Sequence, residues 1–249
     1  MRDYKTETEK RTVWIRETVA SAKAQGVIFG NSGGKDSALV AILCKMAARS
    51  PHGYPFDLLG VMMPCGSTVN YGADIDHAKA LASAFEIENI MVDLTPCRDA
   101  LTQQLTKSQN ITPVALTNIN PRLRMTTLYA LGQSRGYLVA GTGNKSEYHM
   151  GYFTKWGDGA YDFNPIADLL ATEVLEFLRF LGAPPELIDK PPSAGLFEGQ
   201  TDESDMGISY AAIDRYIQTG DASPEDVSII STRHSQTEHK RRPPRKYGG

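Results

Sequence analysis

The 249-residue chain has no long apolar run, no cysteine pair and no leader-like start. Its longest unbroken apolar stretch covers residues 38–44, far short of the ~20 residues that cross a bilayer. The opening MRDYKTETEKR is polar and lacks the apolar core of a signal peptide. A soluble, cytoplasmic protein is expected. Cys44, Cys65 and Cys97 are odd in number and widely spaced, which argues against a disulfide framework or a cysteine zinc site. Internal repeats and low-complexity segments are missing as well. What remains, 41% hydrophobic and 22% charged residues, is enough to bury one core without metals or disulfides.

The net charge of −3 conceals an asymmetry. Residues 233–249 hold six Lys/Arg against Glu238 alone, while the other 232 residues carry 20 basic and 28 acidic side chains. A general nucleic-acid binder shows a basic face across its body, and this body is acidic. The expectation is a single domain over residues 1–249, with an N-terminal helix at about 6–25 and a basic, mobile C-terminal tail at 233–249.

Short apolar strands are expected at residues 26–30, 57–63, 89–94 and 136–141, separated by helical patterns at 74–85, 97–105 and 118–134 and by a helix after residue 34. In that first helix Leu39, Ile42, Leu43 and Met46 recur at the spacing of one helical face. Asn118 is the expected N-cap of the 118–134 helix, with Pro121 in its first turn. Alternating strands and helices imply parallel strands with right-handed crossovers, hence a doubly wound α/β sheet. In the strand order 3-2-1-4-5 the first and fourth strands are neighbours, and ligands bind at their carboxyl ends. The two most unusual loops, GNSGGKDS and GTGNKSE, follow those two strands.

Gly33 and Gly34 allow a tight backbone approach, Ser32 and Ser37 add hydroxyls, and the next helix offers unpaired N–H groups to an anion. A Walker A loop needs glycine at 29 and Ser/Thr at 36, where this chain has Phe29 and Asp36. A dinucleotide fingerprint fails too. Asp36 puts a carboxylate in an anion site, which requires a bridging cation, and Mg²⁺ is the candidate. Glu147, just past the fourth strand, offers a second oxygen ligand; alone, either carboxylate reads as a helix N-terminal dipole partner.

SGGKDS resembles the loop of the N-type ATP pyrophosphatases. NINPRLRM, GTGNKSE, GYFTKWGDGAYDFNPI, PPSAGLFEGQTDE with MGISYAAID, and TEHKR narrow the resemblance to NAD synthetase. The resemblance implies a Rossmann-like, adenine nucleotide alpha hydrolase-like fold and a C–N ligase that amidates deamido-NAD with ammonia. ATP is then cleaved to AMP and pyrophosphate through an adenylated carboxylate, with no side-chain nucleophile. It also implies a homodimer, and no nucleic-acid or membrane partner.

By the same resemblance, ATP falls on Gly30, Asn31, Ser32, Gly33, Gly34, Lys35, Ser37, Thr142 and Ser193, and Mg²⁺ on Asp36 and Glu147. The dinucleotide substrate falls near Arg122, Lys155, Asp162, His239 and Lys240, with Asp36 and Lys155 in catalytic roles. Four positions depart from the family pattern. Ala171 replaces a lysine expected to touch the ATP phosphates, Ser193 replaces threonine, Pro121 replaces alanine, and Lys35 stands where an apolar residue or glutamine is usual. The residues before Gly26 leave no room for the amidase domain of glutamine-dependent relatives, so free ammonia is expected as donor. Three alternatives stay open: a paralogue that amidates another carboxylate, a nucleotide-binding regulator without turnover, and a transfer-RNA thiolation or lysidine enzyme.

Overall fold

The apolar run at residues 38–44 becomes the middle of helix α2 (Lys35–Ala48), every residue of it 0–1% exposed. A helix that is apolar all round must be covered all round. The covers are α1 (Tyr4–Ser21), α8 (Ala171–Phe180) and one face of the sheet. The computed structural model describes residues 2–51, 53–66, 71–188 and 201–248.

The sheet consists of β1 (Gly26–Gly30), β2 (Asp57–Met62), β3 (Glu88–Met91) and β4 (Tyr137–Val139), all parallel, in the order β3-β2-β1-β4. Its second face carries α6 (Ile119–Arg135), whose Leu123, Leu128 and Leu131 pack on Ile28, Val61 and Val139. Between the strands run α3 (Tyr71–Ala84), α4 (Thr95–Ser108) and α5 (Pro113–Thr117). Beyond β4 come α7 (Lys145–Met150), α9 (Pro185–Ile188), α10 (Asp202–Met206), α11 (Tyr210–Thr219), α12 (Pro224–Gln236) and α13 (Glu238–Arg241). A third apolar cluster joins α7, α8, α10, α11 and α12 through Met150, Ala171, Met206, Ile213 and Ile230. Among the described residues no helix is long and apolar enough to cross a membrane.

The doubly wound sheet and its 3-2-1-4 order agree with the sequence reading; a fifth strand does not appear among the described residues. Its place beside β4 holds a lone parallel bridge, Ala140 with Phe163. The residues that follow are Asn164 and Pro165, and proline has no N–H to extend a ladder. Two other expectations need correction. Asn118 does precede α6, yet its side chain makes no capping bond and accepts from the Thr154 hydroxyl at 2.5 Å instead. Of the basic segment 233–249, residues 233–236 belong to α12 and 238–241 to α13, while 242–248 are exposed.

That C-terminal strap is docked, not frayed. Lys240 donates to Gly151 O at 2.8 Å and Phe153 O at 2.7 Å, and Arg233 donates to Asp205 O at 2.6 Å. Gly151 ends α7 at φ 63, and a Cβ there would lie 2.0 Å from Thr237 Oγ1, so only glycine lets the strap approach.

Candidate active site

β1 and β4 are adjacent, so the loops that leave their carboxyl ends open into one crevice, a cavity of about 630 Å³. Strand order 2-1-4 creates the gap because the chain leaves β1 and β4 toward opposite sides. Gly30, Asn31, Ser32, Gly34, Lys35, Asp36 and Ser37 line it from the first loop, and Thr142 and Glu147 from the second.

The first loop is pre-shaped by its own hydroxyls. Ser32 Oγ accepts from Gly34 N at 3.2 Å and lies 3.0 Å from Ser37 Oγ, which donates to Gly34 O at 3.0 Å. Gly33 takes φ 69, and a Cβ there would sit 2.2 Å from Asp74 O. Asn31 Nδ2 donates to Ala78 O at 3.0 Å, which ties the loop to α3. Its Oδ1 is buried without a hydrogen-bond partner among the described residues. Gly34 caps α2 with no side-chain bond, so the first-turn N–H groups of this 14-residue helix face the crevice as an anion site.

Asn144 joins the two loops and is 0% exposed. Its Nδ2 donates to Asp36 Oδ1 at 2.9 Å, its Oδ1 accepts from Glu147 N at 3.0 Å, and its backbone N donates to Glu147 Oε2 at 3.0 Å. The last two form the capping box of α7. Burial, and then the Asp36 charge, hold the Glu147 carboxyl well above its ordinary range. Burial also raises the Tyr210 hydroxyl, reinforced by Glu147 and Asp202. Such a carboxylate pair is stabilised by a cation. Among the described residues no group of three or more His, Cys, Asp or Glu is arranged to cage a metal. Mg²⁺ does not need such a cage, because it commonly takes one or two carboxylates plus substrate phosphates.

The expected substrate residues divide. Lys240 lines the cavity, although its ammonium is also held by two carbonyls and lies 5.5 Å from the Phe153 ring. Arg122, Lys155, Asp162 and His239 do not line it. Lys155 Nζ donates to His239 O at 2.7 Å, and Arg122 Nε to Lys155 O at 3.4 Å, so these three form a group outside the cavity. Asp162 accepts from Val139 N at 2.8 Å and from the Tyr129 hydroxyl at 3.2 Å, holding the loop against β4. Ser193 lies outside the described residues. Ala171, where a phosphate-binding lysine was missed, is 1% exposed inside the third apolar cluster.

Several cavity residues were not singled out beforehand: Arg124, Asp158, Asp202 and Arg233 line it, and Asn144 stands behind it. Asn144 had a readable signal, since it precedes Glu147 by three residues as a capping-box asparagine does. Asp202 begins α10 and accepts from the Tyr210 hydroxyl at 3.2 Å, a pairing that local periodicity does not reveal.

A profile of the NAD synthase family matches residues 7–244. The NH(3)-dependent NAD(+) synthetase of Carboxydothermus hydrogenoformans is 45% identical over 247 residues, covering 97% of each chain. Among solved structures, an NMN synthetase from Francisella tularensis superposes with a TM-score of 0.93 at 31% identity, covering 100% of both chains. An NH3-dependent NAD synthetase from Campylobacter jejuni gives 0.80 at 29% identity, covering 99% of this chain and 100% of the other.

Proposed function

The chain belongs to the NAD synthase family, C–N ligases that amidate deamido-NAD with ammonia and ATP, and from that premise we propose that the β1/β4 crevice works by adenylation. A carboxylate is a poor acyl donor because oxide is a poor leaving group. Attack of the nicotinate carboxylate on the α-phosphorus of ATP converts that oxygen into part of AMP, which ammonia then displaces. The carrying observation is the meeting of a glycine-rich anion loop with two bridged carboxylates at one cavity. ATP lies along residues 30–37 and Thr142, its phosphates on the open N-terminus of α2. Asp36 and Glu147 would hold Mg²⁺, which when bound would supply positive charge against the pyrophosphate leaving group. Asn144 keeps both carboxylates aimed, and the strap closes the crevice against water that would hydrolyse the adenylate.

Arg122, Lys155 and His239 take the substrate phosphates at the rim, and Lys155 serves catalysis by orienting the substrate. The working unit is a homodimer. Helices α4 and α5 bury no residue in the single chain, and Met91 at the end of β3 is 58% exposed. Consumption of ATP is consistent with a cytoplasmic reaction.

The test is incubation with ATP, Mg²⁺, ammonium and deamido-NAD, with the nucleotides identified. AMP and pyrophosphate stoichiometric with NAD are expected, and ADP with phosphate would overturn the mechanism. One observation favours a second reading of the substrate: the full-length superposition on an NMN synthetase. In that reading the same crevice amidates the carboxylated mononucleotide, and the group outside the cavity has no adenylate half to hold. Comparing kcat/KM for nicotinic acid mononucleotide and deamido-NAD separates the two, a tenfold preference either way being decisive.

A further inference from the structure

Lys35 is the first residue of α2, and its side chain is 6% exposed. Both facts are unusual. Lysines are almost never fully buried unless paired, and a cation at a helix N-terminus opposes the helix dipole. Something nearby must hold it there. Its ammonium lies 3.8 Å from Asp36 Oδ2 and 4.9 Å from the centroid of the Tyr210 ring. Tyr210 is 4% exposed and donates its hydroxyl to Asp202, itself 5% exposed. Glu147 is under the influence of Asp36, Lys35 and Asp202 together. One buried ammonium is thus set between the Asp36 carboxylate and the face of a tyrosine ring, within the cavity wall.

We propose that Lys35 is the resident counter-ion of the Asp36 carboxylate in the nucleotide-free protein, and that it turns to the ATP phosphates when a divalent cation takes over that carboxylate. The charges call for such an exchange. A divalent cation held by Asp36 and Glu147 supplies the positive charge that the ammonium otherwise supplies beside Asp36. The ammonium is then redundant there, while its backbone already belongs to the helix turn that faces the phosphates. The exchange also accounts for Ala171. That position is sealed in an apolar cluster, so the extra cation of the phosphate site comes from α2 rather than from α8.

The inference rests on the ATP and Mg²⁺ reading above, and its test separates the two. Mg²⁺ is titrated calorimetrically into the nucleotide-free wild type and Lys35→Met, and the KM for ATP is measured in parallel. Removing a resident cation tightens Mg²⁺ binding at least tenfold, whereas losing a phosphate partner raises the KM for ATP at least tenfold. A merely structural lesion weakens both. Unchanged or weaker Mg²⁺ binding by Lys35→Met overturns the inference. If the wild type itself binds neither Mg²⁺ nor ATP, the parent reading fails instead. Should Lys35→Met not fold, Lys35→Arg is read in the same titration. Wild-type Mg²⁺ affinity with a raised KM for ATP then supports the exchange, and any other pair of results overturns it.

Discussion

Replacing Asn144 with alanine removes its hydrogen bond to Asp36, which joins the crevice's loops, and one of the two bonds of the α7 capping box, leaving the other, from its own backbone. The cap of α7 is lost, which costs about 1 kcal/mol. Asp36 loses a hydrogen bond to a charged acceptor, worth roughly 1.5–3 kcal/mol, and with Asp36 only 17% exposed and Asn144 0% exposed solvent replaces little of it. The sum, about 3 kcal/mol, lowers Tm by roughly 6–12 °C in a domain of this size. Urea unfolding at pH 7.5 reads the first number and calorimetry the second. Asn144→Asp keeps the capping oxygen but places a third carboxylate against Asp36 and Glu147. The new charge adds to the crowding that already raises Glu147, so the variant's stability is present at low pH and is lost as pH rises through that raised pKa. It should resemble the wild type near pH 4 and fall below it at pH 7.5. A loss under 1 kcal/mol in Asn144→Ala, or an Asn144→Asp protein as stable as wild type at pH 7.5, would refute the junction.

Three further outcomes follow from the geometry. Glu147 has its carboxyl raised by burial and by Asp36, so the empty protein loses stability as pH climbs from the ordinary value of 4.5 through the raised one. Glu147→Gln removes that loss, raising Tm at pH 7.5 while depressing Mg²⁺-dependent turnover as Asp36→Asn also does; normal turnover in both variants removes the metal assignment. Ala171→Lys forces a long charged side chain among Met150, Met206 and Ile213, at a cost above roughly 3 kcal/mol from overpacking and desolvation together, and an unchanged Tm would show that the site is open after all. Truncation after Ser235 deletes Lys240 and its bonds to Gly151 and Phe153, which should raise the KM for the nicotinate substrate and increase ATP cleavage without amidation. Truncation after Arg242 should do neither; equal impairment of the two would show that the tail's charge rather than Lys240 matters, and full activity of the shorter protein would leave the strap without a role.

The amino-acid sequence by itself determined the features that depend on neighbours a few residues apart. Helical spacing located α1, α2 and α6, the apolar run at 38–44 announced a fully covered helix, and strand–loop–helix punctuation placed both functional loops at the switch point. Glycines and hydroxyls in SGGKDS were enough to read an anion loop, because that loop folds largely on its own bonds. What the tertiary structure decided involves partners far apart in the chain. Asp36 and Asn144 are 108 positions apart, and only the pairing of β1 with β4 brings them to one hydrogen bond. Likewise, Lys35 reads as one more ATP contact until the fold shows it buried against Asp36 and the Tyr210 ring, and Ala171 as a missing contact until its burial is seen. The basic tail reads as frayed because its partners are backbone carbonyls of residues 151 and 153, which leave no trace in side-chain identity. Periodicity encodes which face of an element is apolar, whereas strand order and packing decide which faces meet.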